Sequence, residues 1–199
     1  MKRRGTGFTL VEVLVVVGII AVLAAILFPV FASVRRAAHK TVCMSNLRQL
    51  LMAQKMYSDD CDRTLVPARA GGVTWCVLLQ PYLKSDKIIR CPEDDKGQMM
   101  ANSEDLKHGY GINYNLTYNL ANGLPFTYGM SGINRTTDLL LFFDMKASAA
   151  AAGSSYSTSG LTRLDARHSD RCGVGFLDGH WQMLLPKTTE KPVNMWLPS

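Results

Sequence analysis

Gly7-Phe8-Thr9-Leu10-Val11-Glu12 sets one carboxylate at the entrance to a long apolar run, and no other stretch constrains the architecture as tightly. From Val13 to Phe31, nineteen residues pass without a charge, which is long enough for a helix to cross a bilayer. An acid inside such a span is costly. Its penalty at mid-bilayer starts at about 2.5 kcal/mol, less near the interface, and intramembrane acids take a partner. Glu12 therefore calls for a cation. Lys2, Arg3 and Arg4 make the seven residues ahead of Phe8 basic.

Gly7, Phe8 and Glu12 together resemble the start of type IV prepilins and type II secretion pseudopilins. The resemblance implies that residues 1–7 are a leader, removed by a prepilin peptidase/N-methyltransferase that cuts between Gly7 and Phe8 and methylates Phe8. It also implies that Glu12, then the fifth residue, pairs with the terminal amine of a neighbouring subunit, making Phe8 and Glu12 the assembly residues. Elementary chemistry agrees, because a freed α-amine has a pKa of about 7.7–8.0 and is mostly cationic at neutral pH. Pro29 matches a family position that loosens the helix; an internal proline removes one backbone hydrogen bond and crowds the carbonyl four residues back. Two rivals are a secretory signal peptide cleaved near Val30-Phe31-Ala32 and a plain single-pass anchor. Both leave Glu12 unexplained and make Gly7-Phe8 a coincidence.

The totals add boundaries. The 199 residues suffice for a long helix and one globular domain. Formal charge is +6, but without the leader's three cations nineteen Lys and Arg face sixteen acids, a net of +3. That is too small to argue for nucleic acid on charge alone. Basic residues flank the span on both sides, with Arg35, Arg36 and Lys40 after it, so charge does not orient it. The prepilin resemblance places the N-terminus in the cytoplasm, with a single pass through the bacterial inner membrane and a periplasmic or extracellular filament after assembly. Its implied partners are other pilin-like subunits, in a homopolymer or a mixed filament, and the inner-membrane assembly machinery.

Helical spacing continues beyond the span. Cys43, Leu47, Leu50, Gln54 and Tyr57 share one stripe, with Met44 and Leu51 beside it. The helix is expected over residues 8–58, with 8–31 in the membrane and later in a filament core; it is ended by Asp59-Asp60-Cys61-Asp62, acids disfavoured at a helix C-terminus. Residues 59–199 then form a globular head. Within it, Val73 to Lys84 reads as a short helix that Pro81 interrupts near Gln80. Cys91 to Gly97 is turn material, and His108 to Tyr128 reads as an extended loop with short strands. Leu139 to Phe143 is a strand-length apolar run, and Ala147 to Gly160 a low-complexity loop. Asp178-Gly179 between Cys172–Leu177 and His180–Leu185 signals a hairpin with a type I′ turn. The fold class is α+β, a pilin-like long N-terminal helix packed on a C-terminal antiparallel sheet with irregular loops.

His168 followed after nine residues by Asp178-Gly179 resembles the H-x9-DG ending of a bacterial subgroup of prepilin-like proteins. Cys43-Met44-Ser45-Asn46-Leu47-Arg48-Gln49, Trp75 through Pro81-Tyr82-Leu83-Lys84, and Arg90-Cys91-Pro92 fit that subgroup as well, so the resemblance covers most of residues 1–185. Cys61, Cys76 and Cys172 depart from its pattern. Five cysteines without a CxxC pair, in an exported domain, read as disulfides rather than a zinc site. Two bridges and one free thiol can be drawn in fifteen ways, and spacing does not choose among them. The expected bridge is Cys43–Cys91, closing a loop worth roughly 4 kcal/mol of chain entropy; Cys61–Cys76 is a second pairing.

The remaining chemistry is sparse. His168, Cys172 and His180 suit zinc by residue type, yet His180 falls across the hairpin turn from the other two and no fourth ligand stands out. His168, Asp178 and Gly179 read better as organisers of the terminal hairpin. The calcium candidates are Asp165, Asp170 and Asp178, with Asp144 at a strand end, but EF-hand spacing is absent. No cofactor is expected, with calcium the alternative. Tyr110, Tyr114, Tyr118 and Tyr128 could stack on bases or anchor loops. No nucleophile elbow, P-loop or HExxH is present, so the expectation is not an enzyme. The expected function is a structural subunit of a type IV pilus-like filament or type II secretion pseudopilus. Rival functions are a minor pilin-like subunit capturing DNA or a secreted substrate, and a signal-anchored periplasmic enzyme.

Overall fold

Helix α1 runs unbroken from Leu10 to Asp60 in the computed structural model, which describes residues 9–71, 73–94, 98–99, 107–117, 133, 136–146, 156–157, 164–189 and 195–196. Gly7, Phe8, Tyr118 and Tyr128 lie outside that set, as does all of 147–160 except 156–157. The chain divides into two units, residues 1–38 and 39–199. In the first, the large apolar side chains from Leu10 to Val34 are exposed, and Pro29 is accommodated inside the helix. Within the second, α1 buries Cys43, Asn46, Leu47, Leu50, Leu51, Ala53, Gln54 and Ser58. Asn46 joins the expected stripe because its Nδ2 donates to the Arg90 carbonyl at 2.9 Å. Gln54 belongs there for a similar reason: Oε1 accepts from the Val66 amide at 3.1 Å and Nε2 donates to Ser58 Oγ at 2.8 Å. The helix continues two residues past the expected end at 58, through Asp59 and Asp60. Arg63 N–H reaches back to the Ser58 carbonyl at 2.8 Å, with Asp62 and Arg63 at positive φ.

After α1, strands β1 (Arg69–Ala70) and β2 (Val73–Thr74) pair antiparallel, followed by α2 (Trp75–Leu78). The expected helix over Val73–Lys84 is thus shorter at both ends. Val73 and Thr74 are taken by the strand pair, and Pro81 converts the continuation into a 3-10 turn at Gln80–Tyr82, since it offers no amide to an α-helical ladder. A second 3-10 turn, Asp86–Ile89, is capped by Ser85 and leads to Cys91. Strands β3 (Gln98–Met99) and β4 (Lys107–His108) pair with each other. Next come β5 (Tyr110–Asn113), the single-turn α3 (Tyr114–Thr117), β6 (Leu140–Asp144), β7 (Tyr156–Ser157), β8 (Cys172–Phe176) and β9 (Trp181–Leu184). The main sheet has the order β7-β5-β6-β8-β9, antiparallel except for the β5–β7 edge.

Strands β5, β6 and β8 of this sheet are buried along their whole length. Gly173 and Gly175 of β8 let α1 approach one face closely: a methyl at Gly173 would stand 2.7 Å from Leu47 Cδ1, and one at Gly175 would stand 3.0 Å from Leu51 Cδ1. The opposite face, with Leu140, Phe143, Cys172, Val174 and Phe176, is covered by Trp196, whose ring meets Phe143 edge-on at 5.0 Å. The β6–β8 register slips between Leu140 and Phe142. This bulge turns Leu141 and Phe142 toward the same core cluster, while Leu140 and Phe143 join the other. Two-sided burial is why β6 reads as a continuous apolar run rather than an alternating one.

The terminal hairpin forms, but not through the expected type I′ turn at Asp178-Gly179. Of those two residues only Gly179 has positive φ, at +96°, and its N–H donates to the Phe176 carbonyl at 3.1 Å. Phe176 N–H in turn donates to the His180 carbonyl at 2.8 Å, the pattern of a three-residue loop with a bulge glycine. Leu177 and Asp178 donate their amides to the Leu139 and Thr136 carbonyls instead, which favours the longer loop. The positive-φ pair that a type I′ turn needs sits earlier, at Ser169 (54°) and Asp170 (62°), between the bridged residues His168 and Arg171.

Candidate functional site

Two places carry the candidate residues, the start of α1 and a buried cluster in the head. At the start of α1, Thr9 and Glu12 form a reciprocal cap. Glu12 Oε2 accepts from the Thr9 amide and from Thr9 Oγ1, each at 2.8 Å, and the Glu12 amide donates to Thr9 Oγ1 at 3.3 Å. Thr9-Leu10-Val11-Glu12 is thus a capping box. The pattern is legible in the residues alone, as Thr followed three residues later by Glu. Glu12 remains exposed, so the cap holds the carboxylate at the helix end without enclosing it.

In the head, four segments bring Cys43, Cys91, Asp144 and His168 together, their candidate donor atoms all within 4.8 Å of one another. Cys43 comes from the buried stripe of α1. Cys91 follows the 3-10 turn and is fixed by a tight turn in which Asp94 N–H donates to its carbonyl at 3.0 Å. Asp144 ends β6 and is fully buried. His168 opens the Ser169-Asp170 turn that feeds β8. Cys43 Sγ lies 3.3 Å from Asp144 Oδ1, Cys91 Sγ 3.4 Å from His168 Nε2, and His168 Nε2 3.6 Å from Asp144 Oδ2.

A surrounding layer orients these groups. Glu93 Oε2 lies 2.5 Å from His168 Nδ1, directing Nε2 toward Cys91 and Asp144. Gly173 N–H donates to Asp144 Oδ2 at 2.6 Å, and Tyr110 O–H donates to Cys43 Sγ at 3.2 Å. Arg167 forms ion pairs with Asp94 at 3.3 Å and Asp165 at 2.9 Å. Burial, reinforced by the neighbouring Cys91 charge, raises the Asp144 carboxyl to about 7. The Cys43 thiol is pushed up because it donates to Cys91 and is buried. Cys91 is pushed down by that same hydrogen bond, against its burial and with help from His168 and Arg167. Burial opposes charge on His168, but Cys91, Asp144 and Glu93 hold its pKa above the ordinary value.

Cys43 and Cys91, the expected disulfide pair, come together in the head; their sulfurs are unbonded in this structure, as are those of Cys61, Cys76 and Cys172. Cys43 and Cys91 each face a polar side chain, Asp144 and His168 respectively, so all four side chains converge on a shared centre. Cys76 is occupied with Thr74 Oγ1 at 3.0 Å. Cys172 packs under Trp196 with burial raising its thiol to about 12.

Of the zinc trio named from sequence, only His168 joins the cluster. His180 stands apart, stacked on Phe176 at 4.1 Å and paired through Nδ1 with Asp178 Oδ1 at 2.6 Å. Among the described residues Asp165, Asp170 and Asp178 do not assemble into a donor group: Asp165 binds Arg167, Asp178 binds His180, and Asp170 is exposed in its turn. Tyr110 and Tyr114 are buried, which removes them as stacking platforms and makes them packing residues. A groove of about 730 Å³ beside α1, lined by Arg48, Lys55, Arg63, Leu177 and Asp178 among others, includes none of the four cluster residues. Sequence reasoning missed the cluster because its members are scattered along the chain from Cys43 to His168. The available signals were Cys43 on the packing stripe and Asp144 closing an apolar strand.

Residues 2–28 match the family model described as the prokaryotic N-terminal methylation motif. The chain is 43% identical over 58 residues to the type IV wide pilus major component PilA4 of Thermus thermophilus, a match covering 29% of this chain and 44% of that protein. It is 40% identical over 60 residues to the type IV major pilin protein PilA of Myxococcus xanthus, covering 30% of this chain and 27% of that one. The chain therefore spans less than half the length of the curated relatives it matches. No solved structure matches it.

Proposed function

We propose that this chain, whose first segment is that of a type IV prepilin-like protein, is a structural subunit polymerising into a type IV pilus-like filament or a type II secretion pseudopilus. One observation carries the reading. The large apolar residues of α1 from Leu10 to Val34 are exposed, and the same segment begins with a carboxylate set at its first turn. A surface that apolar is stable only in lipid or against other apolar chains, and a helix of this length can cross a membrane. An inner-membrane subunit that later buries the same surface in a filament core uses both environments. Leader removal between Gly7 and Phe8 by a prepilin peptidase supplies the amine that Glu12 of a neighbouring copy neutralises. The head then acts as a packing module rather than a catalyst.

The capping box allows charge and helix capping to be tested separately. Replacing Glu12 by glutamine removes the charge but keeps the cap, since either side chain serves at that position of a capping box. Glu12→Gln should therefore be processed normally yet fail to enter filaments, whereas Thr9→Ala should lose the cap and still assemble. Sheared filament fractions and immunoblots of the processed chain read both. Incorporation of Glu12→Gln at the wild-type level would refute the charge-pairing role.

A further inference from the structure

We infer that Cys43, Cys91, Asp144 and His168 constitute a structural zinc site that ties α1 to the head. The donor set is the first argument. Two thiolates, an imidazole and a carboxylate are groups zinc takes in tetrahedral sites, while calcium requires six to eight oxygens. Distances supply the second. With zinc–sulfur bonds of about 2.3 Å and zinc–nitrogen or zinc–oxygen bonds of about 2.0–2.1 Å, tetrahedral geometry separates sulfur from nitrogen or oxygen by about 3.6 Å, and nitrogen from oxygen by about 3.3 Å. Cys91 Sγ stands 3.4 Å from His168 Nε2 and Cys43 Sγ 3.3 Å from Asp144 Oδ1, while His168 Nε2 lies 3.6 Å from the second carboxylate oxygen, Oδ2. All four donors lie within 4.8 Å of one another, close enough for side-chain adjustment to bring them onto one ion.

The surrounding layer is the third argument. Metal-binding histidines characteristically give their other ring nitrogen to a carboxylate, and His168 Nδ1 has the Glu93 carboxylate beside it, Oε2 at 2.5 Å, as an ion-pair contact without hydrogen-bond alignment. Asp144 Oδ2 is anchored by the Gly173 amide at 2.6 Å, leaving Oδ1 on the Cys43 side. Zinc with two thiolates and one carboxylate carries one residual negative charge, and the guanidinium of Arg167, only 6% exposed, lies nearby in ion pairs with Asp94 and Asp165. A Cys43–Cys91 disulfide accounts for two of the four donors and gives no reason for the fully buried Asp144 carboxylate or for the Glu93–His168 pair. All four ligands are buried side chains of the protein, so the site is closed, as structural zinc sites are and catalytic ones are not. This inference stands apart from the filament reading.

The test uses the full-length chain, purified in detergent with a tag free of histidine and without chelator. Elemental analysis and thiol alkylation, with and without reductant, are run on the same sample. The expected result is one zinc per chain, with Cys43 and Cys91 alkylated on denaturation without prior reduction. Chelator should lower the melting temperature, and added zinc should restore it. Cobalt in place of zinc should give the intense visible bands of a tetrahedral thiolate complex. Glu93→Gln, which leaves every ligand in place, should weaken zinc affinity by about 10–100-fold; His168→Cys should retain the metal and His168→Ala should lose it. A metal-free folded chain, or recovery of a Cys43–Cys91 cystine peptide, overturns the site. So does zinc affinity that is unchanged in Glu93→Gln.

Discussion

Gly173→Ala tests how tightly the head is closed on α1. An alanine methyl would stand 2.7 Å from Leu47 Cδ1, 3.0 Å from Asp144 Oδ2 and 3.5 Å from Cys43 Sγ. Carbon–carbon contacts relax at about 3.5–4.0 Å, so the overlap with Leu47 alone approaches 1 Å. Gly173 does not have a positive φ, so the substitution carries no left-handed backbone penalty and its cost is overpacking. Leu47 is fully buried and can yield only by displacing its own neighbours. The expected destabilisation is about 1–3 kcal/mol. Leu47→Ala alone should cost about 2–5 kcal/mol through its cavity. Combining the two relieves the clash, so the double variant should be more stable than the sum of the singles implies, with a coupling of about 0.5–3 kcal/mol. Denaturant unfolding of the full-length chain in detergent, followed by the fluorescence of buried Trp75 and Trp196, measures all three. Additivity within about 0.5 kcal/mol would refute the close approach of α1 to β8.

Other outcomes follow from single contacts. Gly179→Val should destabilise the terminal hairpin by about 1–2 kcal/mol, because the space there is open but φ is +96°; thermal melts read it. Gln54→Ala should cost about 1–3 kcal/mol, since it strips the buried Val66 amide of its acceptor and removes the donor to Ser58 Oγ, which still donates to the Thr64 carbonyl. His180→Ala should change stability by less than about 1 kcal/mol, its pair with Asp178 being partly exposed. That would set it apart from His168→Ala in the same melting assay.

Local patterns in the chain declare its elements well. The uncharged run, the stripe from Cys43 to Gln54 and the acidic stop at Asp59-Asp60 are each written in neighbouring residues, and α1 follows them closely. The apolar stretch ending at Phe143 likewise becomes β6, shifted by one residue. Turn geometry is less legible because it depends on distant partners. Asp178 misses the type I′ conformation while its amide serves Thr136, and Ser169-Asp170 takes positive φ where a bridge between His168 and Arg171 requires it. Burial of Asn46 depends on a carbonyl 44 positions away. Convergence is the hardest to read: Cys43 and Asp144 touch across 101 positions, and no periodicity records that. The capping role of Glu12 was legible but overshadowed, since the same carboxylate also fits the assembly pattern.

Maturation as a prepilin, followed by assembly through the new N-terminus, underlies the whole functional reading. Intact-mass and N-terminal peptide mass spectrometry of the chain coexpressed with a prepilin peptidase decides whether that maturation occurs. The expected product is a mature protein beginning at N-methylated Phe8, with residues 1–7 removed and Glu12 in fifth place. A mature N-terminus at Ser33, the product of ordinary signal-peptide cleavage, would contradict it.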